Sequence, residues 1–189
     1  MEEIRSFISI DVEDGQVLSE IGSVVLSLKG LGADLKAVEP ENIHLTLKFL
    51  GNVNSTRLVN VRSSLSSVSF PPFRMEIKGA GAFPSLRRMN VVWVGIGEGW
   101  TQVQQVYERT ENALVSVGFA RESRGFSPHI TIARVRSARR VDEMGGFLRK
   151  LEEKSFGAFT ASFVRLKQSV LSSSGPKYST LLEVPTRTS

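Results

Sequence analysis

The chain of 189 residues contains no cysteine and only two histidines, two tryptophans and two tyrosines. The absence of cysteine excludes a disulfide framework, thiolate metal sites and a cysteine nucleophile. No stretch approaches the roughly 18 consecutive apolar residues that a membrane-spanning helix needs. The N-terminal segment lacks the basic region, apolar run and cleavage site of a signal peptide. We therefore expect a cytoplasmic protein that does not bind membranes.

Basic residues outnumber acidic residues by 24 to 19, which gives a formal net charge of +5 and a pI near 9.8. The segments LRRMN (86–90) and ARVRSARR (133–140) concentrate this charge. A basic balance favours polyanionic partners, although a solvated basic face explains either segment equally well. Charge alone therefore identifies no function.

Strand-like and helix-like patterns follow one another in the same order twice along the chain. The expected strands are 5–12, 41–51 and 73–83, then 90–97, 126–135 and 159–175; the expected helices are 15–32, 55–67, 101–119 and 140–153. The segment 177–184 is expected to return as a hairpin. This order predicts an α+β fold of two pseudo-symmetric lobes of antiparallel sheet flanked by helices. We expect a single bilobal domain over 1–189, with repeat halves at about 4–85 and 90–175 and a central cleft.

Both histidines stand in the same frame, His-Φ-Thr-Φ, once as HLTL and once as HITI. On a strand, residues two positions apart point to the same face. His44, Thr46 and Lys48 therefore share one face of their strand, and His129 and Thr131 share one face of theirs. A pseudo-symmetric pair of such strands would direct two imidazoles and two hydroxyls at a common point in the cleft.

Two imidazoles suit proton transfer near neutral pH, because one ring can be protonated while the other is neutral. Such a pair can place one proton on a leaving oxygen and remove another from an attacking water. Threonine hydroxyls can donate to the non-bridging oxygens of a phosphate held between the rings. Phosphoryl transfer needs this positioning and charge stabilisation more than it needs a covalent nucleophile. The pattern predicts a phosphoryl-transfer site.

Other kinds of site fit the residues less well. Two histidines with hydroxyl neighbours make a poor zinc site, because neither motif contains a carboxylate and the chain has no cysteine. No G-x-S-x-G segment marks a serine hydrolase. The segment GIGEG (95–99) lacks a complete dinucleotide fingerprint, and we interpret it as a turn from a strand to a helix. An RNA-binding module without turnover would need cations and aromatic rings but not two titrating imidazoles.

The two frames resemble the paired H-x-T-x motifs of the 2H phosphoesterase superfamily. The flanking segments RSFISID, PENIHLTLKFLGNV, GAGAFPS, VVWVGI and FSPHITIARV are similar to those of the RNA 2′,3′-cyclic phosphodiesterases, originally called 2′-5′ RNA ligases. The resemblance runs from about residue 4 to residue 184. It implies a cationic cleft, no metal or other cofactor, and hydrolysis of a terminal 2′,3′-cyclic phosphate to a 2′-phosphomonoester.

The resemblance also implies a partner, namely RNA ends with a 2′,3′-cyclic phosphate, those of tRNA halves among them. We expect the protein to be a monomer. Reverse ligation of RNA halves is the same chemistry run backwards. Substrates that keep the fold but differ in kind are 2′-5′-linked oligonucleotides and small nucleotide cyclic phosphates.

By motif position, the resemblance makes His44 the general acid for the departing 3′-oxygen and His129 the base for water. Thr46 and Thr131 would hold phosphate oxygens. The family also uses an arginine three residues after the second threonine, which is Arg134 in this chain.

Arg134 raises a difficulty, because simple alternation places it on the face opposite Thr131. Either the strand twists or ends near Ala133, or the arginine reaches round the edge, or it is an ordinary surface residue. Phe7 occupies the place of an aromatic that contacts the terminal base in the family, and a core position is its alternative. Lys48 is a second candidate for a phosphate contact.

Overall fold

The computed structural model describes residues 3–172 and 175–187. These residues form nine strands, four α-helices and one turn of 3-10 helix at Pro40–Asn42. In chain order the elements are β1 (Glu3–Asp11), α1 (Gly15–Gly30), β2 (Leu35–Ala37), β3 (His44–Asn54), α2 (Ser55–Ser66), β4 (Phe73–Ser85), β5 (Arg88–Ile96), α3 (Trp100–Val115), β6 (Ile130–Val135), α4 (Val141–Arg149), β7 (Ser155–Ala161), β8 (Phe163–Ser172) and β9 (Gly175–Pro185).

The strands join in the order β7-β4-β5-β6-β3-β1-β8-β9, and β2 pairs with β6 beside this path. Neighbouring strands are antiparallel throughout the described residues. The α+β class and the antiparallel sheet are thus confirmed. Strand β3, which begins at His44, and strand β6, which begins directly after His129, are central neighbours, with four strands of the path on either side of their junction. This symmetric order supports the twofold repeat, which stays a prediction.

We call β7-β4-β5-β6 and β3-β1-β8-β9 the two lobes of the sheet, and each lobe contains strands from both halves of the sequence. Strand β4 of the first half lies beside β5, whereas β8 of the second half extends the sheet from β1 and is followed by β9. The helices also cross over, because α1 packs on β7 and β6 while α3 packs on β3 and α2. The expected halves, 4–85 and 90–175, are therefore interleaved in space and fold against a shared core.

The prediction of one closing strand over 159–175 is wrong. The chain leaves β7 at Ala161 and starts β8 at Phe163. Strand β7 pairs with β4 at one end of the sheet, and β8 pairs with β1 near the other. Both strands have strand-like sequences, so alternation does not reveal where the chain crosses between lobes. The hairpin to 177–184 is confirmed by the pairing of β8 with β9, although residues 173 and 174 lie outside the described residues.

One face of the central strands packs into the core beneath the helices. Ile8, Leu45, Ile130 and Ile132 on this face are completely buried. Burying a side chain of this kind contributes roughly 1.5–3 kcal/mol. Because neighbouring residues on a strand point to opposite faces, this burial turns the alternate side chains of the same strands toward the other surface.

The segment GIGEG forms the turn that the sequence indicates. Its first two residues, Gly95 and Ile96, end β5, its last three connect β5 to α3, and Gly99 has a left-handed φ of 89°. A Cβ on Gly99 would also overlap the carbonyl oxygen of Arg74. The glycine is therefore explained by backbone geometry and close packing.

Candidate active site

The two histidine rings are held in the same way. His44 Nδ1 donates to the carbonyl oxygen of Asn42 at 2.7 Å, and His129 Nδ1 donates to the carbonyl oxygen of Ser127 at 2.8 Å. A carbonyl can only accept, so each Nδ1 carries the hydrogen and each Nε2 is left for chemistry. Each Nε2 is a base when its ring is neutral and an acid when the ring is protonated.

The histidines and threonines of both motifs lie on the surface opposite the core. Within the described residues, β3 and β6 pair at one position, with Leu45 opposite Ile130. Both of these residues are completely buried, and each lies between the histidine and the threonine of its motif. The two threonines therefore share one face at the centre of the sheet, with His44 at the start of β3 and His129 directly before β6.

Aromatic rings surround His44. The ring centroid of Phe7 lies 4.9 Å from that of His44, and the centroid of Tyr178 lies 5.4 Å from it with the two rings nearly perpendicular. Tyr178 comes from β9, so the curl of the sheet brings a distant strand to the first histidine. No sequence pattern predicts this contact.

The surroundings of His44 favour its neutral form. Burial lowers the pKa of His44 below its ordinary 6.5, and this effect exceeds the opposite influence of the Asn42 carbonyl and the Asp11 carboxylate. The positive charge of Lys167 lowers the pKa further. In the free protein near neutral pH, His44 is therefore mainly an unprotonated imidazole.

A buried ionic network lies beside His44. Lys167 Nζ is 2.6 Å and Arg165 Nη1 is 3.1 Å from Asp11 Oδ2, and the Ser9 hydroxyl donates to Asp11 Oδ1 at 2.8 Å. Burial alone would raise the pKa of Asp11, but the bonds from Lys167, Ser9 and Arg165 hold it below its ordinary value. The only sequence signal for the network is the polar character of Ser9 and Asp11 in a strand that otherwise enters the core.

His129 is supported by a second aromatic group. The Phe83 ring meets the His129 ring edge-on at 4.8 Å and lies 5.4 Å from the Trp93 ring. Trp93 is paired in register with Thr131. The Trp93 ring passes directly over Gly81, where a Cβ would overlap the indole. This close approach explains the glycine.

A β-bulge in β3 turns Lys48 away from the histidines. Ser9 of β1 pairs with Thr46, but the next residue of β1, Ile8, pairs with Lys48, so β3 has one extra residue here. The bulge breaks the alternation and directs Lys48 to the core face. There Lys48 Nζ lies 2.5 Å from the Glu111 carboxylate, with side chains only 9% and 2% exposed. The prediction that Lys48 shares the face of His44 is therefore wrong.

A matching bulge in β6 brings Arg134 onto the site face. Thr131 pairs with Trp93 and Ala133 with Val92, so Ile132 is the extra residue. Ile132 and Ala133 are both completely buried, and Arg134 after them is exposed. The bulge thus resolves the conflict with simple alternation, because it restores Arg134 to the face of Thr131.

The bulge in β3 also places an aromatic residue on the site face. Phe49 pairs with Phe7 in register, with ring centroids 6.1 Å apart. Phe7 is only 2% exposed, whereas Phe49 is 69% exposed. Phe7 therefore supports the His44 ring from within and has no free face for a base, contrary to the expectation. Phe49 presents a solvent-accessible ring on that side of the site.

Two further findings concern other kinds of site. Among residues 3–172 and 175–187, no group of three or more histidine, aspartate or glutamate residues is arranged to hold a metal ion. Within the same residues, no helix is long and apolar enough to cross a membrane.

Paired histidine–threonine strands at the centre of an antiparallel α+β sheet define a 2H phosphoesterase. A family model described as LigT-like phosphoesterase matches residues 14–93 and 96–178. The chain belongs to this family.

Relatives and solved structures agree with this assignment. The chain is 40% identical over 158 residues to the RNA 2′,3′-cyclic phosphodiesterase of Aeropyrum pernix, covering 84% of this chain and 90% of the relative. It is 38% identical over 181 residues to the enzyme of the same name from Archaeoglobus fulgidus, covering 94% and 98%. The crystal structure of apo LigT from E. coli has a TM-score of 0.78 at 22% identity and covers 99% of this chain and all of that one, which shows a shared fold.

Proposed function

We propose that the protein hydrolyses RNA 2′,3′-cyclic phosphate ends to 2′-phosphomonoesters, without a metal, by paired-histidine acid–base catalysis. The observation that carries this proposal is the pair of matched imidazoles, each fixed through Nδ1 to a backbone carbonyl two residues earlier. Two relatives that match most of this chain and are named for this activity support the choice of substrate.

In the proposed step two protons are transferred, one bond from phosphorus to oxygen forms and another breaks. Water attacks the phosphorus while His129 Nε2 accepts a proton from it. The bond from phosphorus to the 3′-oxygen breaks, and His44 Nε2 gives its proton to that oxygen. The products are a 3′-hydroxyl and a 2′-phosphate. Thr46 and Thr131 donate to the non-bridging oxygens, and Arg134 neutralises their charge.

The acid role places one requirement on His44. Its pKa is lowered by burial in the free protein, so a proton must be restored when substrate binds. The negative charge of the bound phosphodiester supplies the physical cause, because an anion near an imidazole favours the imidazolium. We therefore expect substrate binding and protonation of His44 to be coupled.

Turnover of a short RNA that ends in a 2′,3′-cyclic phosphate tests the function. The protein should form the 2′-phosphate isomer at the same rate before and after dialysis against EDTA. Loss of activity that zinc or magnesium restores would contradict the metal-free step, and formation of the 3′-phosphate would contradict the choice of leaving oxygen. A strand with a free 5′-hydroxyl, added to the same assay, tests for the reverse joining reaction.

RNA ends, those of tRNA halves among them, are the proposed partners. The cytoplasmic location and the monomeric state stay predictions.

A further inference from the structure

Two basic segments that are far apart in sequence lie together where β5 begins and β6 ends. Arg87 lies in the β4–β5 turn, Arg88 is the first residue of β5, and Arg136 follows β6 directly. Strands β5 and β6 are neighbours, with Val91 paired to Arg134, so the two segments meet beyond that pair. Together they line a shallow groove of about 280 Å³. We call Arg87, Arg88 and Arg136 the distal arginine patch.

The charge of the distal arginine patch is available to a ligand. All three side chains are exposed, and within residues 3–172 and 175–187 none of them forms a salt bridge. In the adjoining helix α4, Glu143 is paired with Arg140 at 2.8 Å. No exposed large apolar side chain among the described residues lies in the groove, so its surface suits a polyanion better than a lipid bilayer.

The distal arginine patch continues a line of cations that begins in the active site. Arg134 lies on the face of Thr131, and Arg136 follows it two residues later, about 6.6 Å further along the chain. Guanidinium groups bind phosphate oxygens through two parallel hydrogen bonds and carry their charge at every physiological pH. An RNA backbone whose reacting end lies at the histidines can therefore contact successive arginines along this line.

We propose that the distal arginine patch binds the phosphodiester backbone of RNA upstream of the reacting end. This inference rests on the proposed function and narrows it, because it makes RNA chains the preferred substrate class. A mononucleotide cyclic phosphate fills only the site between the histidines and has no phosphate to place in the groove.

The test compares two substrates and two triple variants. The patch variant is Arg87→Gln/Arg88→Gln/Arg136→Gln. Its control, Arg62→Gln/Arg74→Gln/Arg109→Gln, removes the same charge from exposed arginines on α2, β4 and α3. The substrates are a long single-stranded RNA with a 2′,3′-cyclic phosphate end and a mononucleotide 2′,3′-cyclic phosphate.

On the long RNA, the patch variant should lose about tenfold or more in kcat/KM, while its rate on the mononucleotide stays within about twofold. Each phosphate contact on a single strand contributes about 0.7 to the slope of log affinity against log salt, so three lost contacts should reduce the slope by about 2. The control variant should retain the wild-type slope. Equal losses on both substrates, an unchanged slope, or the same losses in the control would overturn the proposal.

The experiment distinguishes failure of this inference from failure of the proposed function. If the wild-type protein hydrolyses neither substrate, the proposed function fails, and binding of the same RNA with a 2′-phosphate end is measured by fluorescence anisotropy. The patch variant should still show the smaller salt slope, and a wild-type slope would overturn the inference.

Discussion

Phe49 and Arg134 occupy the same place in the two histidine strands. Each lies five residues after its histidine, and each is turned onto the site face by a bulge that follows the threonine. The two lobes thus use one backbone device to present different side chains, an accessible aromatic ring on one side and a guanidinium on the other.

Replacing Arg134 should weaken catalysis without weakening the fold. The residue is exposed and lies on the face of Thr131, where its charge can meet a phosphate. Arg134→Ala should lower kcat/KM by about ten- to a hundredfold, because a hydrogen bond to a charged group contributes about 1.5–3 kcal/mol. Steady-state kinetics and urea unfolding check both parts. Unchanged kinetics would return Arg134 to the status of a surface residue.

Replacing Lys48 should weaken the fold without weakening catalysis. Lys48→Met leaves the Glu111 carboxylate buried without its cation, which should lower the free energy of unfolding by about 3 kcal/mol. The double variant Lys48→Met/Glu111→Gln removes both charges and should recover most of that loss. Urea unfolding of both variants measures the effect, and kcat/KM per folded molecule should stay near the wild-type value. A stable Lys48→Met protein with a strongly raised KM would restore Lys48 to the substrate site.

The threonine hydroxyls should matter for rate. Thr46→Val and Thr131→Val keep the shape of the side chain but remove a donor to the phosphate. Each change should lower kcat/KM by about ten- to a hundredfold. Thr46 pairs with Ser9 and Thr131 with Trp93 in the sheet, so circular dichroism and urea unfolding provide the folding control. Wild-type kinetics in a folded variant would assign that threonine a structural role.

His44 should titrate below pH 6.5 in the free protein and at higher pH with ligand bound. Burial lowers its pKa, so the neutral ring is the form that folding favours. Its contribution to stability is therefore present above pH 6.5 and is lost as the pH falls through the folded pKa. An NMR titration of the imidazole, with and without a nucleoside 2′-phosphate, measures both values. A bound pKa no higher than the free one would argue that His44 is the base.

The sequence predicted the elements of the site better than their three-dimensional neighbours. The matched frames of His44 and His129 and the alternating core residues beside them identified the site face, because strand geometry links spacing to direction. The bulges that redirect Lys48 and Arg134 depend on register against a partner strand, and spacing within one strand does not encode that register. Tyr178 reaches His44 through the curl of the whole sheet, so nothing local to either residue signalled the contact.

The central claim is that the two histidines divide the proton transfers of one hydrolytic step. His44→Ala and His129→Ala should each lower kcat/KM on an RNA 2′,3′-cyclic phosphate by about 10²–10⁴-fold. The direct measurement compares this substrate with an analogue whose 3′-leaving group is an aryloxide, which departs without a donated proton. The analogue should restore the rate of His44→Ala far more than that of His129→Ala. Equal rescue of the two variants, or greater rescue of His129→Ala, would contradict the assignment of acid and base.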